Sequence, residues 1–144
     1  MYTVTKQIHF CYGHRLLDYD GKCAHPHGHN GVIEIELSTN ALDKRGMVYD
    51  FGDIKGIIQE WVDKALDHKM ILRKDDPLVL IFRKIKEPYF VMNDNPTAEA
   101  LAKLIFDYAD SKKLPISKVK FWETQSSFAT YSVPSRSISI MGKN

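Results

Sequence analysis

The sequence predicts an α+β domain, a sheet of antiparallel strands with helices packed on one face. Strand-like alternation occupies both ends of the chain, and two stretches of helical periodicity lie between them. The length of 144 residues suits one domain, without internal repeat, low-complexity tract or linker. A chain of this size buries roughly two thirds of its unfolded surface, so it needs no disulfide scaffold.

Residues 2–10 are rich in Tyr, Thr, Val, Ile and Phe and read as a first strand. Gly21, Pro26, Gly28 and Gly31 punctuate a loop over residues 21–31. Residues 32–38 alternate, with Ile33, Ile35 and Leu37 on one side and Glu34 and Glu36 on the other. These two segments suit an antiparallel pair. Ile54, Ile57, Ile58, Trp61, Val62 and Leu66 recur at helical spacing, with Asp50 and Asp53 at the start, where carboxylates suit capping. Residues 69–92 carry two prolines and several basic residues and yield no clear element. A second helix opens at Asn95-Pro96-Thr97, with Pro96 suited to the first turn and Asn95 or Thr97 to the cap. Its stripe is Leu101, Leu104, Ile105 and Tyr108. Residues 118–124, 128–133 and 137–141 read as late strands.

Composition narrows the function. Hydrophobic content is 44%, charged content 26% and net charge +2, so neither a nucleic-acid binder nor a membrane protein is indicated. No apolar run approaches the roughly 20 residues of a membrane span. The polar first nine residues do not read as a secretory leader. Cys11 and Cys23 are then expected as reduced thiols in a cytoplasmic protein.

The most informative string is Cys23-Ala24-His25-Pro26-His27-Gly28-His29-Asn30. In extended chain, His27 and His29 project to the same side. Gly28 between them removes a side chain that would crowd a shared ligand. His14, just beyond the first strand, comes alongside if that strand pairs with residues 32–38. Three neutral imidazoles with an open fourth position describe a catalytic zinc site. Alternation alone would add His25, but Pro26 bends the chain between them, so His25 is set aside. His9 reads as an ordinary strand residue and Cys11 as a small buried one.

Cys23 lies four residues before His27, within reach of the same site, where a cation lowers a thiol pKa. Asp67-His68 follows the first helix. A carboxylate fixes the tautomer of a neighbouring imidazole, so a thiol and an Asp–His pair can oppose each other as acid and base.

These residues resemble the 6-pyruvoyl-tetrahydropterin synthase family, most closely its bacterial 6-carboxy-tetrahydropterin synthase branch of queuosine biosynthesis. Phe10-Cys11-Tyr12-Gly13-His14-Arg15-Leu16 resembles the family's F-x-x-x-H-x-L, and the cysteine string resembles C-x-x-x-H-G-H. Gly46-Met47-Val48-Tyr49-Asp50-Phe51, Leu66-Asp67-His68, Pro96-Thr97-Ala98-Glu99 and Trp122-Glu123-Thr124 follow in the family's order. The three residues between Cys23 and His27 resemble the carboxy-forming branch. The chain departs from the family's pattern after His68, where Lys69-Met70-Ile71-Leu72-Arg73 lacks an asparagine, and in a long stretch over residues 73–92.

The resemblance implies a tunnelling fold: a four-stranded antiparallel sheet with two helices on one face, oligomerising into a barrel. It implies a homo-oligomer, a hexamer built as a dimer of trimers, with sites at subunit interfaces. By resemblance His14, His27 and His29 bind Zn2+, and Cys23, Asp67 and His68 transfer protons. Glu123 anchors the pterin, and Thr97 and Thr124 add hydrogen bonds. The implied substrate is 7,8-dihydroneopterin triphosphate, with 6-carboxy-5,6,7,8-tetrahydropterin, acetaldehyde and triphosphate as products. Arg15, Lys22, Arg83, Lys84 and Lys86 are candidate triphosphate contacts. Two alternatives stand beside this reading: a 6-pyruvoyl-tetrahydropterin synthase acting on the same substrate, and a structural zinc-binding module that docks a partner.

Overall fold

The computed structural model describes residues 1–134; the strand expected over 137–141 lies outside the described residues. The fold grows from one long antiparallel pair. Strand β1 (Tyr2–His14) and strand β2 (His27–Thr39) stay in register from Tyr2 opposite Thr39 to His14 opposite His27. Ile8, Phe10 and Tyr12 of β1 and Ile33, Ile35 and Leu37 of β2 are buried on one face. The intervening residues face the other side, as a period of two requires. Both strands run further than their alternation suggests, because residues 11–14 and 27–31 continue the ladder with glycine and histidine breaking the run of β-formers.

Four more strands extend this pair in both directions. β3 (Lys69–Arg73) lies parallel beside β1, and β4 (Tyr89–Met92) lies parallel beside β3. β5 (Ile116–Thr124) lies antiparallel beside β2, and β6 (Ser127–Ser132) beside β5. The order is β4-β3-β1-β2-β5-β6. The sheet is therefore six-stranded and mixed, not the expected four-stranded antiparallel one. The two additional strands come from residues 69–92. At five and four residues they are too short to show a period, and helix α3 (Leu78–Ile85) separates them.

Helices α1 (Phe51–Ile54) and α2 (Glu60–Ala65) run on through a π-helical stretch (Lys55–Gln59) as one helix. Asp50 caps it, accepting from the N–H groups of Gly52 at 2.7 Å and Asp53 at 3.2 Å. Ile54, Ile58, Val62 and Leu66 are fully buried along it. Strict spacing by four drifts about 40° per repeat on an α-helix; the wider π turn takes up part of that drift. Helix α4 (Ala98–Ser111) buries Leu101, Ala102, Ile105, Phe106 and Ala109 and lies over β5 and β6. The Thr97 hydroxyl caps it by accepting from the N–H of Ala100 at 3.1 Å. Pro96 precedes the cap instead of occupying the first turn.

One ion pair ties the β3–β4 insertion to the centre. Arg15, directly after β1, donates through Nε to the Asp76 carboxylate at 2.8 Å, and Asp76 also accepts from the N–H of Leu78 at 2.8 Å. The Asp76 side chain is fully buried. Burial by itself pushes this carboxyl up, but Arg15 and the Leu78 N–H outweigh it and hold Asp76 below the usual range. Arg15 is thus committed to structure. Removing one partner of a buried pair costs about 3–5 kcal/mol. Asp76→Asn is expected to lose stability of that order in urea unfolding at pH 7. Because the folded pKa is depressed, this stability is present above the unfolded pKa and fades as pH falls through the folded one. The gap between wild type and Asp76→Asn should therefore narrow below pH 4.

Candidate metal centre

The centre forms where β1 ends and β2 begins. His14 is the last residue of β1 and pairs with His27, the first of β2. His29 follows two residues later on the same face. The rings of His14, His27 and His29 lie with centroids 4.5–5.0 Å apart. One nitrogen from each falls within 4.8 Å of the other two. The expected trio is thus brought together, on a strand pair and not on a loop. Gly28 faces away from it. Its missing side chain serves the backbone, since a Cβ there would sit 3.1 Å from the Tyr12 carbonyl oxygen.

The tautomers follow from the carbonyls that hold the rings. His14 Nδ1 is 2.7 Å from the Pro96 carbonyl, and His27 Nδ1 is 2.7 Å from the His25 carbonyl. A carbonyl only accepts, so each Nδ1 carries the proton and each Nε2 presents a lone pair. Those two Nε2 atoms lie 2.9 Å apart. Two lone pairs facing one another repel unless a cation stands with them. His29 Nε2 is buried without a hydrogen bond among the described residues. It lies 3.4 Å from Glu123 Oε1, an approach without hydrogen-bond geometry. Burial lowers the pKa of both His14 and His29, favouring the neutral, metal-ready form. The donor set fits zinc: a tetrahedral ion with Zn–N near 2.0–2.1 Å holds its nitrogens about 3.3 Å apart.

A clamp built by residues 95–96 holds this end of the sheet. Pro96 orients His14, while Asn95 brackets the backbone of Leu17: its Oδ1 accepts from Leu17 N–H at 2.9 Å and its Nδ2 donates to Leu17 C=O at 2.8 Å. Leu16 N–H in turn donates to the Cys23 carbonyl at 2.8 Å. The loop joining the two histidine-bearing strands is pinned in this way. Cys23 sits half-buried within it, in a 3-10 turn (Lys22–Ala24).

A second cluster gathers on the opposite face of β1. Asp67 and His68 meet there, with His68 Nδ1 donating to Asp67 Oδ2 at 2.9 Å. Asp67 Oδ1 accepts the N–H of Cys11 at 3.0 Å, and the N–H of His68 donates to the Cys11 carbonyl at 2.7 Å. His68 is held in a left-handed backbone conformation, φ 57°. Burial raises the Asp67 pKa, but the Cys11 and His68 bonds prevail and keep it below the ordinary value. The dyad is therefore set beside Cys11, not Cys23. Cys11, which the sequence marks only as a small buried residue, takes this place through the β1–β3 pairing, which no local pattern announces. Glu123, on β5, joins the trio at His29. The hydroxyl oxygen of Thr97 serves as helix cap, and that of Thr124 accepts the N–H of Ser126 at 3.3 Å.

Three histidines converging on an α+β scaffold offer a donor set of the kind that catalytic metal sites use. Residues 3–134 match the family model for 6-pyruvoyl tetrahydropterin synthase, and the chain belongs to that family. It is 36% identical over 139 residues to the 6-carboxy-5,6,7,8-tetrahydropterin synthase of Rickettsia typhi, covering 89% of this chain and 98% of that one. The Haemophilus influenzae protein of the same name is 30% identical over 139 residues, covering 91% and 99%. The structure superposes on Caenorhabditis elegans 6-pyruvoyl tetrahydropterin synthase with TM-score 0.69 at 25% identity, covering 92% and 96%. The uncharacterized protein WS1659 from Wolinella succinogenes gives 0.76 at 27%, covering 91% and 97%. The chain is an enzyme, a pterin lyase of this family.

His27→Ala is expected to reduce zinc from about one per chain to a trace after dialysis against a mild chelator, measured by elemental analysis, with an unchanged far-UV circular dichroism spectrum. Zinc retained by this variant would contradict the assignment.

Proposed function

We propose that the protein is a zinc-dependent 6-carboxy-tetrahydropterin synthase. It converts 7,8-dihydroneopterin triphosphate to 6-carboxy-5,6,7,8-tetrahydropterin, acetaldehyde and triphosphate, and serves queuosine biosynthesis. The observation that carries this is the histidine trio, with one ring nitrogen of each within 4.8 Å of the others, in a chain whose relatives bear that name.

His14, His27 and His29 hold the ion, which when bound polarises a substrate oxygen. Glu123 supports pterin recognition, because its two carboxylate oxygens match two adjacent ring N–H donors. Thr97 and Thr124 keep hydroxyl protons to donate. Cys23 serves as one proton-transfer group. The other is His68: Asp67 fixes the proton on Nδ1, so Nε2 is left to accept one. Cys23→Ala is expected to keep its zinc and lose turnover by about 100-fold or more. Mass spectrometry of the products decides between the carboxy and pyruvoyl outcomes. Loss of zinc in Cys23→Ala, or a 6-pyruvoyl product, would reject the assignment.

The proposal also needs a second copy of the chain. The dyad gathers at Cys11, on the face of β1 opposite His14, so one chain cannot turn both toward one small ligand. A neighbouring subunit's dyad completes each site, in the hexamer that the family pattern implies. Inactive Cys23→Ala and His68→Ala proteins, mixed and reassembled, should regain a measurable fraction of activity, since some mixed interfaces hold both intact groups. No recovery under exchange of subunits would place the whole site in one chain.

A further inference from the structure

Tyr12 has no part in the scheme above, yet it sits at the floor of the centre. It is 3% exposed, and its hydroxyl has no hydrogen-bond partner among the described residues. Buried tyrosine hydroxyls usually find one, and leaving one unmet is costly. The ring itself is well accounted for. It stacks on Phe10 at 5.1 Å and meets Phe121 edge-on at 5.6 Å. Those contacts would suit phenylalanine equally, so packing does not explain the oxygen.

Its surroundings do. The Tyr12 ring lies edge-on to His14 at 5.1 Å and tilted against His29 at 5.7 Å. Gly31 makes room for it, since a Cβ there would approach Tyr12 Cε1 to 3.1 Å. The Glu123 carboxylate is near enough for its charge to act on the phenol, and lies 3.4 Å from His29 Nε2. Two buried polar atoms on adjoining rings, the Tyr12 hydroxyl and His29 Nε2, thus both lack a hydrogen bond among the described residues, and the Glu123 carboxylate stands beside the second. A polar network built for stability would satisfy its members mutually. Convergent polar groups left unsatisfied in an apolar wall are the mark of a ligand site.

We propose that the Tyr12 hydroxyl is a substrate-positioning donor of this site. It hydrogen-bonds an acceptor atom, a ring carbonyl or side-chain oxygen, of the ligand that Glu123 and the histidine trio grip at other points. The three groups are complementary: the carboxylate accepts from ligand N–H groups, the trio would hold an ion able to accept a ligand lone pair, and Tyr12 supplies a neutral donor. The pterin identity of that ligand rests on the function proposed above.

Tyr12→Phe removes the oxygen and keeps the ring. KM for 7,8-dihydroneopterin triphosphate is expected to rise about three- to tenfold, the worth of one neutral hydrogen bond, with a smaller change in kcat. Neopterin binding, followed by its fluorescence, should weaken by a similar factor. The melting temperature of the ligand-free protein should stay level or rise, and zinc content should not change. A merely structural hydroxyl would give the reverse pattern: a lower melting temperature with KM unchanged, and that result overturns the proposal. An unchanged KM at unchanged stability overturns it too. Wild-type protein that neither binds nor turns over pterins would sink the functional reading along with this one, whereas an active wild type matched by Tyr12→Phe sinks this one alone.

Discussion

Everything in the site depends on the register of one strand pair. His14 faces His27 only because β1 and β2 stay aligned over thirteen residues each, and His29 joins them only because side chains alternate. A slip of one residue would turn His27 and His29 to the opposite face. The register is held by the buried rows Ile8–Phe10–Tyr12 and Ile33–Ile35–Leu37, so the core that stabilises the sheet is also the device that aligns the three histidines. The Pro96 and His25 carbonyls then set the tautomers, and turn two Nε2 lone pairs toward one another, an arrangement suited to a shared cation.

The same sheet divides the chemistry. Its inner face carries the trio, Tyr12 and Glu123, in surroundings whose burial lowers the pKa of His14 and His29. Its outer side receives the Asp67–His68 pair, anchored on the backbone of Cys11. Separation by a sheet explains why one chain carries every expected group yet does not assemble them. The proposed mechanism calls for a second copy of the chain for that reason.

The convergence of His14, His27 and His29 was legible in the sequence because alternation is a local property: an H-x-H on extended chain states its own geometry. The capping of the first helix by Asp50 was legible for the same reason. The residues that depend on distant partners were not. Asn95 looked like a cap and is instead a bracket on Leu17, 78 positions away. Arg15 looked like an anion contact and is bound to Asp76. Cys11 looked inert and anchors the dyad. Strands β3 and β4 escaped notice because four or five residues carry too little period, and the sheet gained two parallel members that the alternating segments did not foretell. Glu123 was visible only through family resemblance, since its meaning lies in its neighbour His29.

The most direct test of the central claim is zinc K-edge X-ray absorption on the protein as purified. The account predicts a shell of nitrogen and oxygen near 2.0–2.1 Å with no sulfur near 2.3 Å, fitted by three imidazoles and one exchangeable oxygen. A sulfur at that longer distance, or fewer than three imidazoles, would contradict a centre made by His14, His27 and His29 with its fourth position open.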